Sequence, residues 1–457
     1  TNGIRPVNTG RIPFVWISNQ VTNNGLLFGQ INATGTAANS FAFSPVPLTS
    51  NGGPSPTFAI NSTVPNFKFP QVWRTNIAID KSLPLGIVAT LEAILTKDLN
   101  AIYVRDANFN GSIRNIDGDG RPQYPATVAP NPTDPTLFGR RINQNITQAL
   151  VLDNNSEGYA YNLVAQIQKK FDKGFYGSAA YSYTDSRDLN SQSGTTSGGL
   201  INGNSIVGSI NAPTVSYSSN MTKHRFIFNG SYKKEYAKYF ASTLSFIYEL
   251  RSGNNFSYTY AGDLNNDGVN GNDLIYIPRN KNEIVLTTTN AQDTRSVDQI
   301  WQQLDDYINQ DAYLKDHRGQ YAERNGAIAP WINSLNMRFL QDFHFDLPNG
   351  KRNTLQFSVE MINALNWLDS SLGVVQIPAR TQVLGFVGYE NPAVNTANTQ
   401  TNNLLPNNSY STAAATGRPI FTFATNANGS PVSSSYVDNT TTSSRWQLQI
   451  GLRYIFN

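Results

Sequence analysis

The 457-residue chain is long enough for two or three ordinary domains or for one large barrel, and its formal net charge is only +3. Charged residues make up 14% of the chain, against about 25% in soluble domains, while aromatic residues reach 11%. This small, evenly spread charge argues against nucleic acid as a partner. The absence of cysteine excludes disulfide bonds and zinc sites with cysteine ligands.

Known catalytic motifs and membrane-spanning helices are both missing from the sequence. His224, His317 and His344 lie far apart, without the spacing of a metal hydrolase, and neither a G-x-S-x-G elbow nor a P-loop occurs. We therefore predict that the protein is not an enzyme. No run of about 18 apolar residues exists, which excludes transmembrane helices. No signal peptide is visible at the start either, so for an exported protein we expect it to have been removed.

Nine segments alternate between apolar and polar residues at every second position, which is the period of a β-strand. Each segment is at least about as long as a membrane-spanning β-strand, which needs ~9–11 residues or more. The predicted strands cover residues 71–80, 85–95, 159–171, 175–187, 222–234, 238–260, 331–346, 353–366 and 445–457.

The last predicted strand shows the alternation most clearly, because one of its faces is wholly apolar and the other is mostly polar. The apolar face carries Trp446, Leu448, Ile450, Leu452, Tyr454 and Phe456, and the other face carries Gln447, Gln449, Gly451, Arg453 and Ile455. Such a strand suits a barrel whose apolar side meets lipid and whose polar side lines the lumen. Trp446 and Phe456 would then mark the two membrane boundaries.

The connections between the predicted strands alternate in length. Those after about residues 80, 171, 234 and 346 are short, whereas 106–157, 188–221, 261–330 and 367–444 are long and polar. This asymmetry is typical of outer-membrane barrels, and closure is required because every backbone N–H and C=O must be paired in lipid. We therefore predict an all-β fold, a transmembrane antiparallel β-barrel of the bacterial outer membrane. A soluble, lectin-like β-protein rich in Asn and Thr is the alternative.

One long loop contains a helix signal at residues 296–318. Ser296 and Gln299 match a capping box, and one stripe of this segment is apolar. The stripe consists of Val297, Trp301, Leu304 and Ile308. We expect a short helix that packs over the barrel mouth, with a partner-binding helix as the alternative.

The predicted strand count is odd, whereas bacterial single-chain barrels have even numbers of strands with both ends on the short-turn side. The chain would begin in an extracellular loop formed by residues 1–70. We therefore expect residues 1–457 to be the C-terminal part of a larger barrel. The earlier strands and any N-terminal plug would lie outside this sequence, or in a separate chain of the same protein.

Four segments carry a family resemblance. They are DLNNDGVNGNDLIYIPRN (263–280), DAYLKDHRGQYAERNGAIAPW (311–331), FSVEMINALNW (357–367) and QIGLRYIFN (449–457). In this order they resemble the C-terminal half of Oar-like TonB-dependent outer-membrane receptors. The resemblance implies a barrel of 22 strands that is closed by a plug and opened by contact with TonB. Transport is thus implied by the resemblance alone, and a surface-display, adhesion or protein-export barrel is the alternative.

The last strand also resembles the signal that the barrel assembly machinery reads in outer-membrane proteins. That signal is a polar residue, then glycine, then two alternating hydrophobic residues, the last of them aromatic. The matching residues are Gln449, Gly451, Tyr454 and Phe456, and Asn457 after the aromatic residue departs from the pattern.

A candidate metal site lies in a long loop. Residues 263–268 match the first half of a calcium-binding loop, in which alternate oxygen ligands surround the ion and a glycine allows a sharp turn. The candidate ligands are Asp263, Asn265, Asp267 and Asp273. Leu274 occupies the position of the usual bidentate acid, so polar turn residues without a metal are the alternative.

The long loops contain two further candidate sites. Residues 115–120 repeat the first half of the calcium pattern through Asn115, Asp117 and Asp119. Arg318 and Arg324 could bind an anionic ligand, with ion pairing inside the loop as the alternative.

Overall fold

The computed structural model describes residues 58–112, 114–124, 140–143, 146–191, 194, 196–348, 350–390, 404–406 and 417–456. Much of the predicted extracellular loop at residues 1–70 and the terminal Asn457 therefore lie outside the described residues.

Nine long antiparallel strands form one sheet, and each strand is paired with its neighbours in chain order. They are β1 (Gln71–Leu83), β2 (Ile87–Asp106), β3 (Tyr159–Lys170), β4 (Phe175–Asp188), β5 (His224–Tyr236), β6 (Phe240–Arg251), β7 (Ile332–Asp346), β8 (Arg352–Ile362) and β9 (Gln447–Ile455). These strands correspond one to one to the nine predicted segments, which confirms the all-β fold.

Two of the predicted strands end earlier than the alternation suggests. β6 ends at Arg251, well before residue 260, because the backbone at Gly253 packs closely against two carbonyl oxygens of the segment that precedes β7. A Cβ atom at Gly253 would lie 2.4 Å from the oxygen of Ala329 and 2.5 Å from that of Pro330. β8 ends at Ile362, since Asn363 adopts a left-handed conformation with φ 53°.

The strand register separates an apolar face from a polar face across the whole sheet. One row across β6 to β9 is apolar and consists of Leu244, Phe339, Val359 and Ile450. The adjacent row on the opposite face is polar and consists of Ser245, Arg338, Glu360 and Gln449. Leu244 is 48% exposed and Ile450 63% exposed. An apolar face this exposed is stable only against hydrocarbon, as predicted for the lipid side of a barrel.

Aromatic side chains lie at both ends of the apolar face. At the short-turn end, Phe175 stacks on Tyr232 with ring centroids 4.1 Å apart. At the long-loop end, Tyr181 and Phe226 lie 4.6 Å apart. These two belts lie where the headgroup regions of a bilayer are expected, because aromatic rings favour the membrane interface.

The short turns depend on residues with positive φ. Lys173 and Gly174, between β3 and β4, have φ values of 68° and 86°. The glycine is required there, because a Cβ atom would lie 2.1 Å from the backbone oxygen of Lys233. Such turns match the twist of the flanking strands and join them tightly.

The remaining elements lie in the long connections. The helices are α1 (Ser197–Asn202), α2 (Val297–Gln310), α3 (Ala312–Asp316) and α4 (Ala364–Leu368), with 3₁₀ turns at Pro84–Gly86, Asp172–Gly174, Lys281–Glu283 and Thr442–Ser444. The other strands are Phe58–Thr63, Arg114–Asn115, Pro122–Gln123, Ile146–Asn155, Ser216–Tyr217, Asn255–Phe256, Val285–Thr287, Ala327–Ile328, Gln376–Pro378, Leu384–Glu390, Leu404–Pro406, Pro419–Phe423 and Tyr436–Asp438.

Several long loops pack together into a second body with its own hydrophobic core. We call it the cap and define it as residues 114–124, 256–329, 383–390 and 419–432. A four-stranded sheet crosses it and includes Val285–Thr287, Pro419–Phe423 and Leu384–Glu390. In the part of the chain that the structure describes, none of the helices is both long and apolar enough to cross a membrane.

The two faces of β3 make a direct test of the lipid-facing assignment. Leu163→Arg places a charge on the apolar face and should lower the free energy of unfolding by about 2–4 kcal/mol. Gln166→Arg places the same charge on the polar face of the same strand and should leave the stability close to that of the wild type. Urea titration of the protein in lipid vesicles measures both, and equal losses would contradict the assignment.

Candidate functional site: the cap and its buried acidic loop

The predicted helix at residues 296–318 forms part of the cap. Its capping box is present, since Ser296 Oγ accepts a hydrogen bond from the Gln299 backbone and the Gln299 side chain accepts one from the Ser296 N–H. Its buried face packs into the cap core, where Tyr307 lies 5.9 Å from Phe423 between ring centroids. The apolar stripe therefore packs into the core of the cap, and the position of the helix over the barrel mouth stays a prediction.

The helix differs from the prediction in being two helices. The break falls at Asp311, whose extended backbone ends α2 and whose carboxylate accepts the Leu314 N–H at the start of α3. The second oxygen of Asp311 accepts a hydrogen bond from Tyr258 at 2.7 Å. Asp is a preferred N-cap residue, so Asp311 itself was a signal for a new helix start, which apolar periodicity does not detect.

The acidic loop, residues 263–273, is folded tightly inside the cap. Asn265, Asp267 and Asp273 are buried, and Gly268 makes the turn with φ 94°. Asp263 Oδ2 accepts the Gly268 N–H at 2.9 Å, and Asp267 Oδ1 accepts the Val269 N–H at 2.8 Å. The candidate ligands are thus brought into one loop by the turn that the glycine allows.

Arg121 is the central cation of this region, and the sequence analysis missed it. Its guanidinium is fully buried and lies 2.6 Å from Asp119 and 3.2 Å from Asp273. It also lies 5.3 Å from the ring centroids of both Tyr260 and Tyr321. The two calcium-like segments, predicted as separate sites, are therefore joined through one arginine. The available signal was the cationic residue that directly follows Asp119-Gly120.

The buried carboxylates are costly to ionise. Burial, followed by the charge of Asp273, raises the pKa of Asp263 to about 7. Burial also raises the pKa values of Asp267 and Asp273; the charge of Asp263 adds to the rise for Asp267, and Arg121 opposes the rise for Asp273. Among the described residues, the cationic partner of Asp263 is Arg140, at 3.9 Å. When ionised, the carboxylates of the loop therefore carry more charge than these cations neutralise.

Within the described residues, no three His, Cys, Asp or Glu side chains are arranged to hold a metal ion. Both oxygens of Asp273 are already used, one by Arg121 and the other by the Leu264 N–H. The three histidines stay apart: His224 lies near Trp331, His317 bonds the Tyr313 carbonyl and His344 lies beside Thr354. A calcium site that uses all of the predicted carboxylates is therefore not preformed, and calcium binding stays a prediction.

Arg318 and Arg324 are both engaged in ion pairs. Arg318 lies 2.7 Å from Asp305 of α2. Arg324 is buried and lies 2.9 Å from Asp188, the last residue of β4. The second pair connects the cap to the long-loop end of the barrel sheet. Both arginines therefore fit the alternative of ion pairing rather than binding of an anionic ligand.

The residues of the predicted assembly signal lie on the two faces of β9. Gln449 is paired with Glu360 and Gly451 with Ser358 on the polar face. Tyr454 and Phe456 lie on the apolar face at the short-turn end, with ring centroids 6.1 Å apart. The arrangement has the alternation that the signal requires.

A family model described as "Outer membrane beta barrel domain" matches residues 2–369, which include β1 to β8. The chain belongs to this family. Membership in the outer membrane beta barrel family agrees with the lipid-facing sheet and places the protein in the bacterial outer membrane. Searches of curated proteins and of solved structures found no similar protein.

Arg121 provides a test of the buried network. Arg121→Met leaves Asp119 and Asp273 without their cation and should destabilise the cap by about 3–5 kcal/mol. The control is Arg105→Met, because Arg105 pairs with Asp153 at 3.7 Å on the surface and should contribute at most about 1 kcal/mol. Native-state proteolysis of the cap over a range of urea concentrations measures both. Similar losses for the two variants would contradict the central role of Arg121.

Proposed function

We propose that the protein is the barrel of a TonB-dependent receptor that takes up a substrate through a plugged lumen. The observation that carries this proposal is the polar inner face of the sheet, which remains accessible. Arg225 pairs with Glu249 at 2.7 Å, and Arg338 pairs with Glu360 at 2.7 Å, yet the side chains of both arginines are more than 40% exposed. The inner face of a small barrel would be filled by its own side chains.

The edges of the sheet support a larger barrel. Among the described residues β1 and β9 are not paired with each other, so both present unpaired backbone groups. In lipid those groups must be satisfied, and only further strands can do so. We propose that additional strands complete the barrel and that a plug, which contacts the TonB system, fills the wide lumen. No catalytic role is proposed.

A second candidate is a barrel that displays its loops for adhesion. The specific observation in its favour is the cap, which has a continuous core of buried aromatic and aliphatic side chains above the membrane strands. A body of this kind can bind a partner without transport. Protein export through the barrel is a further variant, because it also needs a wide polar lumen.

Ion conductance separates these candidates. The full-length protein, inserted into a planar lipid bilayer, should carry no current until urea on the periplasmic side unfolds the plug, and the current should disappear when urea is removed. A permanently open channel would favour export. A bilayer that stays silent in urea would contradict the transport proposal and favour display.

We also propose that β9 carries the signal for the barrel assembly machinery. Phe456→Ala removes the terminal aromatic residue and should reduce the folded fraction in the outer membrane severalfold. Trp446→Ala removes another exposed aromatic side chain, at the opposite end of the same strand, and is the control. The folded fraction is measured by the gel mobility of unheated samples. Equal effects of the two variants would mean that Phe456 acts only as a lipid-facing side chain.

A further inference from the structure

The acidic loop of the cap contains an imbalance of charge that the protein does not neutralise. Four carboxylates lie in or beside this loop, and two guanidinium groups pair with three of them. The carboxylates belong to Asp119, Asp263, Asp267 and Asp273, and the guanidinium groups to Arg121 and Arg140. Two negative charges are left over when all of these groups are ionised, and a divalent cation would balance them.

Two oxygen atoms in the loop are buried without a hydrogen-bond partner. One is Oδ1 of Asp263, whose other oxygen is held by the Gly268 N–H. The other is Oδ1 of Asn272, a side chain that is 2% exposed and that donates its Nδ2 hydrogen to Asp267 at 2.8 Å. Buried polar atoms are almost always satisfied, so unpaired acceptors beside a buried carboxylate indicate a missing positive ligand.

We propose that the acidic loop binds a calcium ion through Asp263, Asn265, Asp267 and Asn272. All four side chains offer oxygen, which is the ligand type that calcium selects, and they belong to one loop that turns at Gly268 and again at Gly271. Thiolate and imidazole ligands, which select zinc or copper, are not part of this group.

This ligand set differs from the set that the sequence predicts. Asp273 drops out because its carboxylate is already paired with a buried cation, the Arg121 guanidinium at 3.2 Å, whereas the hydrogen bonds of Asp267 come from neutral N–H donors. Asn272, one residue earlier, takes its place. The ion thus needs only two carboxylates, which agrees with the finding that no three acidic or histidine side chains converge among the described residues.

Arg140 marks the accessible side of the proposed site. Its guanidinium covers Gly268, where a Cβ atom would lie 2.5 Å from its central carbon, and it is only partly buried. At 3.9 Å from Asp263 it is too far for a close ion pair. It can therefore move aside when the ion binds.

The test is a calcium titration of the purified full-length protein in detergent after removal of divalent ions with EDTA. Isothermal titration calorimetry with CaCl₂ should show binding with a Kd of about 0.1–1 mM, the range of extracellular calcium sites. Calcium should also slow proteolysis of the cap relative to EDTA. MgCl₂ should have a much weaker effect, because magnesium requires a more rigid octahedral site.

Variants locate the ion. Asp263→Asn and Asp267→Asn keep the size of the side chain and should weaken calcium binding by at least about tenfold. Asp316→Asn, which changes an exposed carboxylate in α3, is the matched control and should bind as the wild type does. Gel mobility of unheated samples shows whether each barrel is folded.

Three results would overturn the proposal. The first is that the wild type shows neither binding heat nor protease protection up to about 10 mM CaCl₂, tenfold beyond the weakest expected affinity. The second is unchanged calcium affinity in folded Asp263→Asn and Asp267→Asn, and the third is an equal response to MgCl₂. The first result depends on the wild type alone, so the test remains decisive if a variant does not fold. It is also independent of conductance, so it can fail while the transport proposal stands.

Discussion

The pairing of backbone polar groups in hydrocarbon is the constraint on which this structure depends. A strand in lipid cannot bond to water, so each of the nine strands must be paired along its length with its neighbours. Pairing fixes the register, and the register assigns alternate side chains to opposite faces. Leu244, Phe339 and Val359 therefore form a continuous apolar row, while Arg338 and Glu360 face the lumen.

Outside the membrane, the cap is stabilised in a different way from the sheet. The cap lies in water, so it needs a core of its own, and it is built from segments that are far apart in sequence. Arg121 illustrates how they are connected, because it joins Asp119 of one segment to Asp273 of another. Arg324 then connects the cap to the end of β4.

These two environments bear on function in different ways. In the proposed function, the polar face of the sheet lines the path of a solute, while the cap supplies a surface above it that suits recognition. A receptor that transports its ligand uses both. A cation in the acidic loop would strengthen the second role, because it would rigidify a surface whose carboxylates otherwise repel each other.

The sequence alone determined the nine strands, their two faces and the short turns. These features depend on local alternation and on residues such as Gly174, which adopts a positive φ where no Cβ atom would fit. It also located the capping box of α2. Only the tertiary structure decided where β6 ends, how the helix divides at Asp311 and which cation serves the acidic loop. The reason is that Gly253, Arg121 and Asp273 acquire their roles from contacts with residues distant along the chain, which no local pattern encodes.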